Sequence, residues 1–306
     1  MKYRPRLLLA PIALGALLLL SLLACRTAPS PAPSPPGTDP AQGPPLLRFA
    51  VIGDYGTAGP AEAAVAELVH SWQPDLIITT GDNNYPNGAV ETIDANIGQY
   101  YSRYIGSYKG AYGPGAQVNR FFPSPGNHDW DTGSLQPYVN YFNLPGNERY
   151  YAVRRGPVHF FALDSDEREP DGISADSEQG RWLQGQLNAS SAPWRIVYFH
   201  HPPYSSARHG SSRIMRWPFA QWGATAVLAG HDHVYERLDV DGTPYFVNGL
   251  GGRRPYSFRN LFPLRQSQVR FNDAHGAMLV EAWAERITFR FVTQDGELID
   301  YYALES

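Results

Sequence analysis

From Leu46 onward the chain alternates short apolar runs with clusters of Gly, Asp, Asn, Pro and His. LLRFAVIG, ending at Asp54, reads as a buried strand. PAEAAVAELVHSW then places apolar residues at helical spacing, with Pro60 suited to the first turn. DLIITT follows as a second strand, and the order strand, loop, helix, strand predicts parallel pairing with both sheet faces covered. The stretch from Asn83 to Asn147 is rich in Gly, Pro, Asn and Tyr. It predicts loops over a site, with one helix around Ile93 to Tyr104. RYYAVRRG and PVHFFALD read as adjacent strands, SEQGRWLQGQLNAS as a helix, and WRIVYFHH and TAVLAGHDH as two apolar strands ending in histidines. TPYFVNG, GAMLVEAWAE, RITFRFVTQDG and ELIDYYAL alternate as antiparallel strands do. The expected class is mixed α/β with two sheets, parallel strands in the first half, antiparallel strands in the second, and helices outside.

The amino terminus follows a different pattern. KYRPR and the apolar run LLLAPIALGALLLLSLLAC, interrupted by Pro11 and Gly15, read as a secretory signal rather than a membrane span. The run stops at Cys25, the only cysteine, so no intramolecular disulfide is expected outside the cytoplasm. Leu22-Leu23-Ala24-Cys25 resembles the lipobox of bacterial lipoproteins, although Leu23 is bulkier than the small residue often found there. That resemblance implies a lipid anchor on Cys25 and a place in the cell envelope, facing the periplasm or the cell surface. The alternative is an ordinary signal with an incidental cysteine, which also leaves the cytoplasm. Residues 26–45, RTAPSPAPSPPGTDPAQGPP, have no apolar periodicity and read as an extended tether. The expected organisation is therefore a signal over 1–25, a linker over 26–45 and one folded domain over 46–306.

The formal net charge is −4, and the sequence has no Lys/Arg cluster beyond pairs such as Arg253-Arg254, so nucleic acid is not an expected partner. A small soluble substrate and a monomer are expected, with membrane contact only through the anchor.

Five polar clusters each lie just past an apolar run: GDYG, GDNNY, PGNHDW, HHPPY and GHDH. Loops leaving the carboxyl ends of parallel strands converge on one crevice, which would bring Asp54, Asp82, Asn127, His128, His200, His231 and His233 together. Each motif alone is weak, because Gly-Asp after a strand is often only a turn and a lone buried His is usually a hydrogen-bonded core residue. Five in order are not explained that way. Carboxylate, amide and imidazole ligands without thiolates suit Fe, Zn or Mn, and they exceed what one ion needs. Two ions clamping an oxyanion substrate are the economical explanation, and phosphate ester hydrolysis is its obvious use.

With these motifs in order from Phe49 to Gly252, the sequence resembles the calcineurin-like metallophosphoesterases, whose pattern is D-x-[GH], GDxx[DY], GN[HD], Hx and GHxH. It fits the purple acid phosphatase branch best. The resemblance implies a four-layer αββα sandwich and a phosphatase that hydrolyses monoesters by attack of a metal-bound hydroxide. It also implies Fe(III) at a first site formed by Asp54, Tyr85 and His233, and Fe(II), Zn(II) or Mn(II) at a second formed by Asn127, His200 and His231. Asp82 would bridge the two. Neighbours on an extended segment point opposite ways, so only one of His200 and His201 should face the metals. The family's H-x-P pattern selects His200 and leaves His201 as a loop or outer residue.

His128 and His209 match outer positions where imidazoles bind a phosphoryl oxygen and protonate the leaving alkoxide. His70, His159 and His275 have no motif context and read as structural. Arg208, Arg213, Arg253 and Arg254 are candidate phosphate guanidinia. The competing readings are a phosphodiesterase or nucleotidase with the same metal pair, and a non-catalytic metal-binding lipoprotein.

Overall fold

The computed structural model describes residues 43–258 and 263–306, so the signal and most of the tether lie outside the described residues. Strand β1 (Leu47–Ile52) leads through α1 (Pro60–Ser71) to β2 (Leu76–Thr79). Pro60 starts α1, where its fixed φ fits and its missing N–H leaves nothing unpaired. Glu62 turns back to accept the Thr57 and Ala58 N–H groups at 2.8 Å each. The expected helix near Ile93 is α2 (Val90–Ile93), continued by a π-helical turn, α3 (Gln99–Tyr101) and a 3₁₀ turn. Strand β3 (Phe121–Pro123) follows, then α4 (Asn127–Trp130), α5 (Gln136–Tyr141), and the hairpin β4 (Tyr151–Arg155) and β5 (Val158–Ala162). Helix α6 (Glu178–Ala189) starts at Ser177, whose side chain accepts the Gly180 N–H, an N-cap worth about 1 kcal/mol. Strands β6 (Trp194–Tyr198), β7 (Ala226–Ala229), β8 (Tyr235–Val240), β9 (Thr243–Asn248), β10 (Ser267–Phe271), β11 (Gly276–Ala282), β12 (Arg286–Thr293) and β13 (Leu298–Glu305) complete the domain.

The strands form two sheets, ordered β13-β12-β11-β1-β2-β3 and β10-β8-β9-β7-β6-β5-β4. The division is not into a parallel first half and an antiparallel second half. β1, β2 and β3 are parallel in one sheet, which β11–β13 extend antiparallel, while β5, β6, β7 and β9 are parallel in the other. TPYFVNG, expected as antiparallel only, is β9, which is parallel to β7 and antiparallel to β8. All six of its residues are buried, as a strand with neighbours on both sides and covered faces requires.

The main core lies between the sheets, where Phe49 meets Phe160 edge-on at 4.9 Å, Phe246 stacks on Phe289 at 4.9 Å and Tyr235 stacks on Phe291 at 4.2 Å. Each fully buried aromatic of this kind contributes about 2 kcal/mol or more through the apolar surface it removes from water. Val65 and Val69 of α1 join this core. Leu183 and Leu187 of α6 cover a second cluster with Phe161, Leu163, Val197 and Phe199. The layers are therefore helix, sheet, sheet, helix, the expected αββα class. Among the described residues no helix is long and apolar enough to cross a membrane.

Candidate metal centre

Each cluster singled out in the sequence leaves a strand end or its adjoining loop. Asp54 follows β1, Asp82 and Tyr85 follow β2, Asn127 and His128 open α4 after β3, His200 follows β6, and His231 and His233 follow β7. Backbone bonds tie these loops together: Asp54 N–H donates to the Gly81 carbonyl (3.1 Å) and Gly230 N–H to the His200 carbonyl (2.9 Å). The contact is close enough that only glycine fits at two motif positions. A Cβ on Gly126 would overlap Asp82, and one on Gly230 would overlap the Asp54 carboxylate and the Thr80 carbonyl.

The polar atoms fall into two groups that share one carboxylate. The Tyr85 hydroxyl lies 2.8 Å from Asp82 Oδ2, 3.4 Å from Asp54 Oδ1 and 3.3 Å from His233 Nε2, and His233 Nε2 is 3.4 Å from Asp54 Oδ1. On the other side of Asp82, Oδ1 lies 3.3 Å from His200 Nε2. That nitrogen is also 3.1 Å from Asn127 Oδ1 and 3.1 Å from His231 Nδ1.

Outer bonds fix which atoms face inward. His200 and His233 place Nδ1 at 2.9 Å from the carbonyls of Thr80 and Arg254, so Nδ1–H donates outward and Nε2 points into the site. Asp54 Oδ2 accepts the His231 N–H (2.9 Å), which leaves Oδ1 inward. His128 N–H donates to Asp82 Oδ1 (3.0 Å).

Burial and neighbouring charges shift several groups of this donor set. Burial alone would raise the Asp82 carboxyl, but the His200 charge and hydrogen bond, with His128, hold it well below the usual range. His200 loses by burial and gains more from Asp82, rising to about 10. Burial and the neighbouring His200 charge hold His201 down to about 4 and push His231 far below an ordinary histidine. Burial, then the Asp82 and Asp54 charges, push the Tyr85 phenol well above its usual value. Groups of Asp54, Asp82 and His200, and of His200, His201 and His231, each bring ligand atoms close enough to hold an ion.

His201 corrects the sequence reading. The alternation argument needed an extended backbone, but the chain bends at His200 and His201. Both rings consequently lie on the same side: His201 is 5.0 Å from the His200 ring and 4.5 Å from the His231 ring. Its Nδ1 lies 3.0 Å from Ser165 Oγ.

His128 is seated against the Tyr85 ring (4.5 Å), with Nδ1 at 2.5 Å from the Pro86 carbonyl and Nε2 at 3.9 Å from Asp82 Oδ2. The His209 ring is 4.3 Å from that of His231, and burial is the main cause lowering its basicity. The other histidines bond elsewhere: His70 to the Tyr100 carbonyl, His159 to Ser190 and His275 to the Arg253 carbonyl. Arg253 covers the Tyr85 ring (4.8 Å) and Arg208 covers Tyr256 (5.2 Å), whereas Arg213 is exposed in a 3₁₀ turn.

Two carboxylates escaped the sequence reading. Asp129 accepts N–H bonds from Asn83 and Gly126, and Asp232 accepts from Ser205, His209 and Gly210. Both follow a site histidine directly, in GNHD and GHDH, and that position was the available signal. Tyr256 was also missed; its ring stacks on His233 at 4.0 Å.

Comparison with known proteins places this geometry. The Calcineurin-like phosphoesterase family matches residues 47–235, more than half of the chain. Tartrate-resistant acid phosphatase type 5 of Mus musculus is 27% identical over 299 residues, covering 83% of this chain and 88% of the relative. Fe(3+)-Zn(2+) purple acid phosphatase 12 of Arabidopsis thaliana is 25% identical over 225 residues, 66% of this chain and 46% of the relative. The solved purple acid phosphatase PPD1 from yellow lupin seeds shares the fold, with a TM-score of 0.67 at 18% identity over 85% of this chain and 53% of its own. The chain thus belongs to the calcineurin-like phosphoesterase family, a family of phosphoric ester hydrolases.

Proposed function

We propose that the protein is a dinuclear-metal phosphatase of the purple acid phosphatase type that hydrolyses phosphate monoesters. The observation that carries this reading is the division of Asp82, whose Oδ2 belongs to the group with Tyr85, Asp54 and His233 while Oδ1 belongs to the group with His200. Asp54, Asp82, Tyr85 and His233 would hold a first ion, Fe(III). Asp82, Asn127, His200 and His231 would hold a second, Fe(II), Zn(II) or Mn(II). Bound there, the pair would supply Lewis-acid polarisation of the phosphoryl group and a more acidic water.

The chain's own residues do the rest. The Thr80 and Arg254 carbonyls fix the tautomers of His200 and His233, and the buried Asp54 and Asp82 hold the anionic charge that keeps the cations. His128, with Nδ1–H held by the Pro86 carbonyl, presents Nε2 beside Asp82, where as the imidazolium it can donate to a phosphoryl oxygen or to the leaving oxygen. His209, anchored through its backbone N–H to Asp232 (2.7 Å), stands on the His231 side as a second proton donor. We further infer export of the chain, with Cys25 as the acylated anchor residue.

The test is the reconstituted protein assayed on nitrophenyl phosphate and on bis-nitrophenyl phosphate, with His128→Ala alongside. A monoesterase turns over the first, and the variant keeps its metal content while losing about 10²- to 10⁴-fold in kcat. Preference for the diester would establish the phosphodiesterase reading. Metal binding without turnover of either ester would establish the non-catalytic metal-binding reading.

A further inference from the structure

A cavity of about 510 Å³ adjoins the metal centre, lined by Arg208, Arg254, Pro255, Tyr256, Ser257 and Phe258. Its wall is also a wall of the site. Tyr256 stacks on His233 at 4.0 Å and lies 5.4 Å from the His209 ring, and the Arg254 carbonyl accepts from His233. Arg208 lies over the Tyr256 face at 5.2 Å and immediately precedes His209. None of the six lining residues carries a carboxylate, so the cavity joins two guanidinia to two aromatic rings with no negative charge among them.

From this arrangement we infer that the cavity receives the leaving group, and that the protein's substrates are phosphate monoesters whose leaving group is a flat ring bearing a second anionic group. The inference rests on the monoesterase reading above. Tyr256, a wall of the cavity, touches both His233 and His209, so a leaving group on that side of the centre passes Tyr256 toward Phe258. A ring there packs against Phe258 and the rim of Tyr256, whose faces already carry His233 and Arg208, and an anion at its far end meets Arg208 and Arg254. Both guanidinia are exposed, so the gain is limited to a modest factor, and it is salt-sensitive.

The probes are 4-(carboxymethyl)phenyl phosphate and its carboxamide, whose methylene spacer keeps the two leaving phenols nearly equally acidic. With the full chain reconstituted with iron and zinc, kcat/KM is expected to favour the carboxylate by about three- to tenfold, mainly through KM. That preference should shrink in 0.5 M NaCl, as screening requires. It should fall to about one in Arg208→Ala/Arg254→Ala, whose exposed positions make misfolding no obstacle. Equal efficiencies, or a preference that survives the double substitution, would overturn the cavity's role while leaving the phosphatase reading intact. Failure to hydrolyse either ester would overturn the phosphatase reading, and the cavity assignment with it.

Discussion

Tyr85→Phe is the substitution that most directly tests the first ion, because it removes one oxygen and little else. The ring packs against His128 at 4.5 Å and under the Arg253 guanidinium at 4.8 Å, contacts that a phenyl ring keeps. At pH 7 an ordinary phenol sits about three units below its pKa of about 10, so ionising it costs about 4 kcal/mol at about 1.36 kcal/mol per unit. Burial and the Asp82 and Asp54 charges raise the cost further for Tyr85, so in the metal-free protein the phenol stays protonated and donates to Asp82. Only a strong Lewis acid beside the oxygen recovers that free energy, and a trivalent cation does so most effectively. Titrating the chelator-treated protein with Fe(III) should therefore produce a broad visible band from phenolate-to-iron charge transfer and a purple colour. Tyr85→Phe should lack the band and retain iron at least tenfold more weakly, read as metal content after desalting. If the variant kept the same iron and the same band, Tyr85 would be a packing aromatic and its place on the first ion would fall.

The second group can be tested apart from the first. Asn127→Ala and His200→Ala remove donors grouped about the Oδ1 side of Asp82, so each should lower metal content from two ions to one while the visible band remains. The metal-free fold should also show a pH optimum. His200, at about 10 folded against 6.5 unfolded, stabilises fully below pH 6.5, and that contribution is lost as pH rises through 10. His201, at about 4 folded, acts in the opposite sense: its contribution is present above pH 6.5 and lost as pH falls through 4. The melting temperature of the chelated protein should thus decline from pH 6.5 to 10, and His200→Gln should flatten that limb; an unchanged slope in the variant would remove His200 as the cause.

The five motifs were legible because each terminates an apolar run, and a run of buried strand residues dictates where the next loop must emerge. The helices were legible for similar reasons, Pro60 and the spacing of Val65 and Val69 marking α1. β8 was missed because YERLDV carries charges that a sequence pattern assigns to a surface loop. In the fold Glu236 accepts the Ser206 N–H and Arg237 pairs with Asp300 at 2.7 Å, so those charges are partnered across loops and sheets far away in sequence. β10, SQVRF, lies at a sheet edge with half-exposed residues and carries little apolar signal. The alternation argument for His201 failed for another reason: it holds only along an extended backbone, and nothing in HHPPY announces the bend ahead of Pro202.

The bends also explain how so many donors reach one place. Asp54, Asp82 and His231 adopt left-handed backbone conformations, with φ of 54°, 52° and 70°. Each costs on the order of 1 kcal/mol or more relative to an ordinary conformation. The residues that tolerate this region best after glycine are Asp, Asn and His, which are also oxygen and nitrogen ligands. The strain persists because it is over-determined. Asp54 N–H is held by the Gly81 carbonyl, the His231 N–H by Asp54 Oδ2, and Asp82 Oδ1 by the His128 N–H. The same bonds that hold the backbone in place aim the remaining carboxylate oxygens inward. The donors therefore stay gathered, and an arriving cation meets a set that needs little further ordering. Relaxing any one of the three turns would scatter ligands of both groups at once, because Asp82 belongs to both and the His231 turn is held by Asp54.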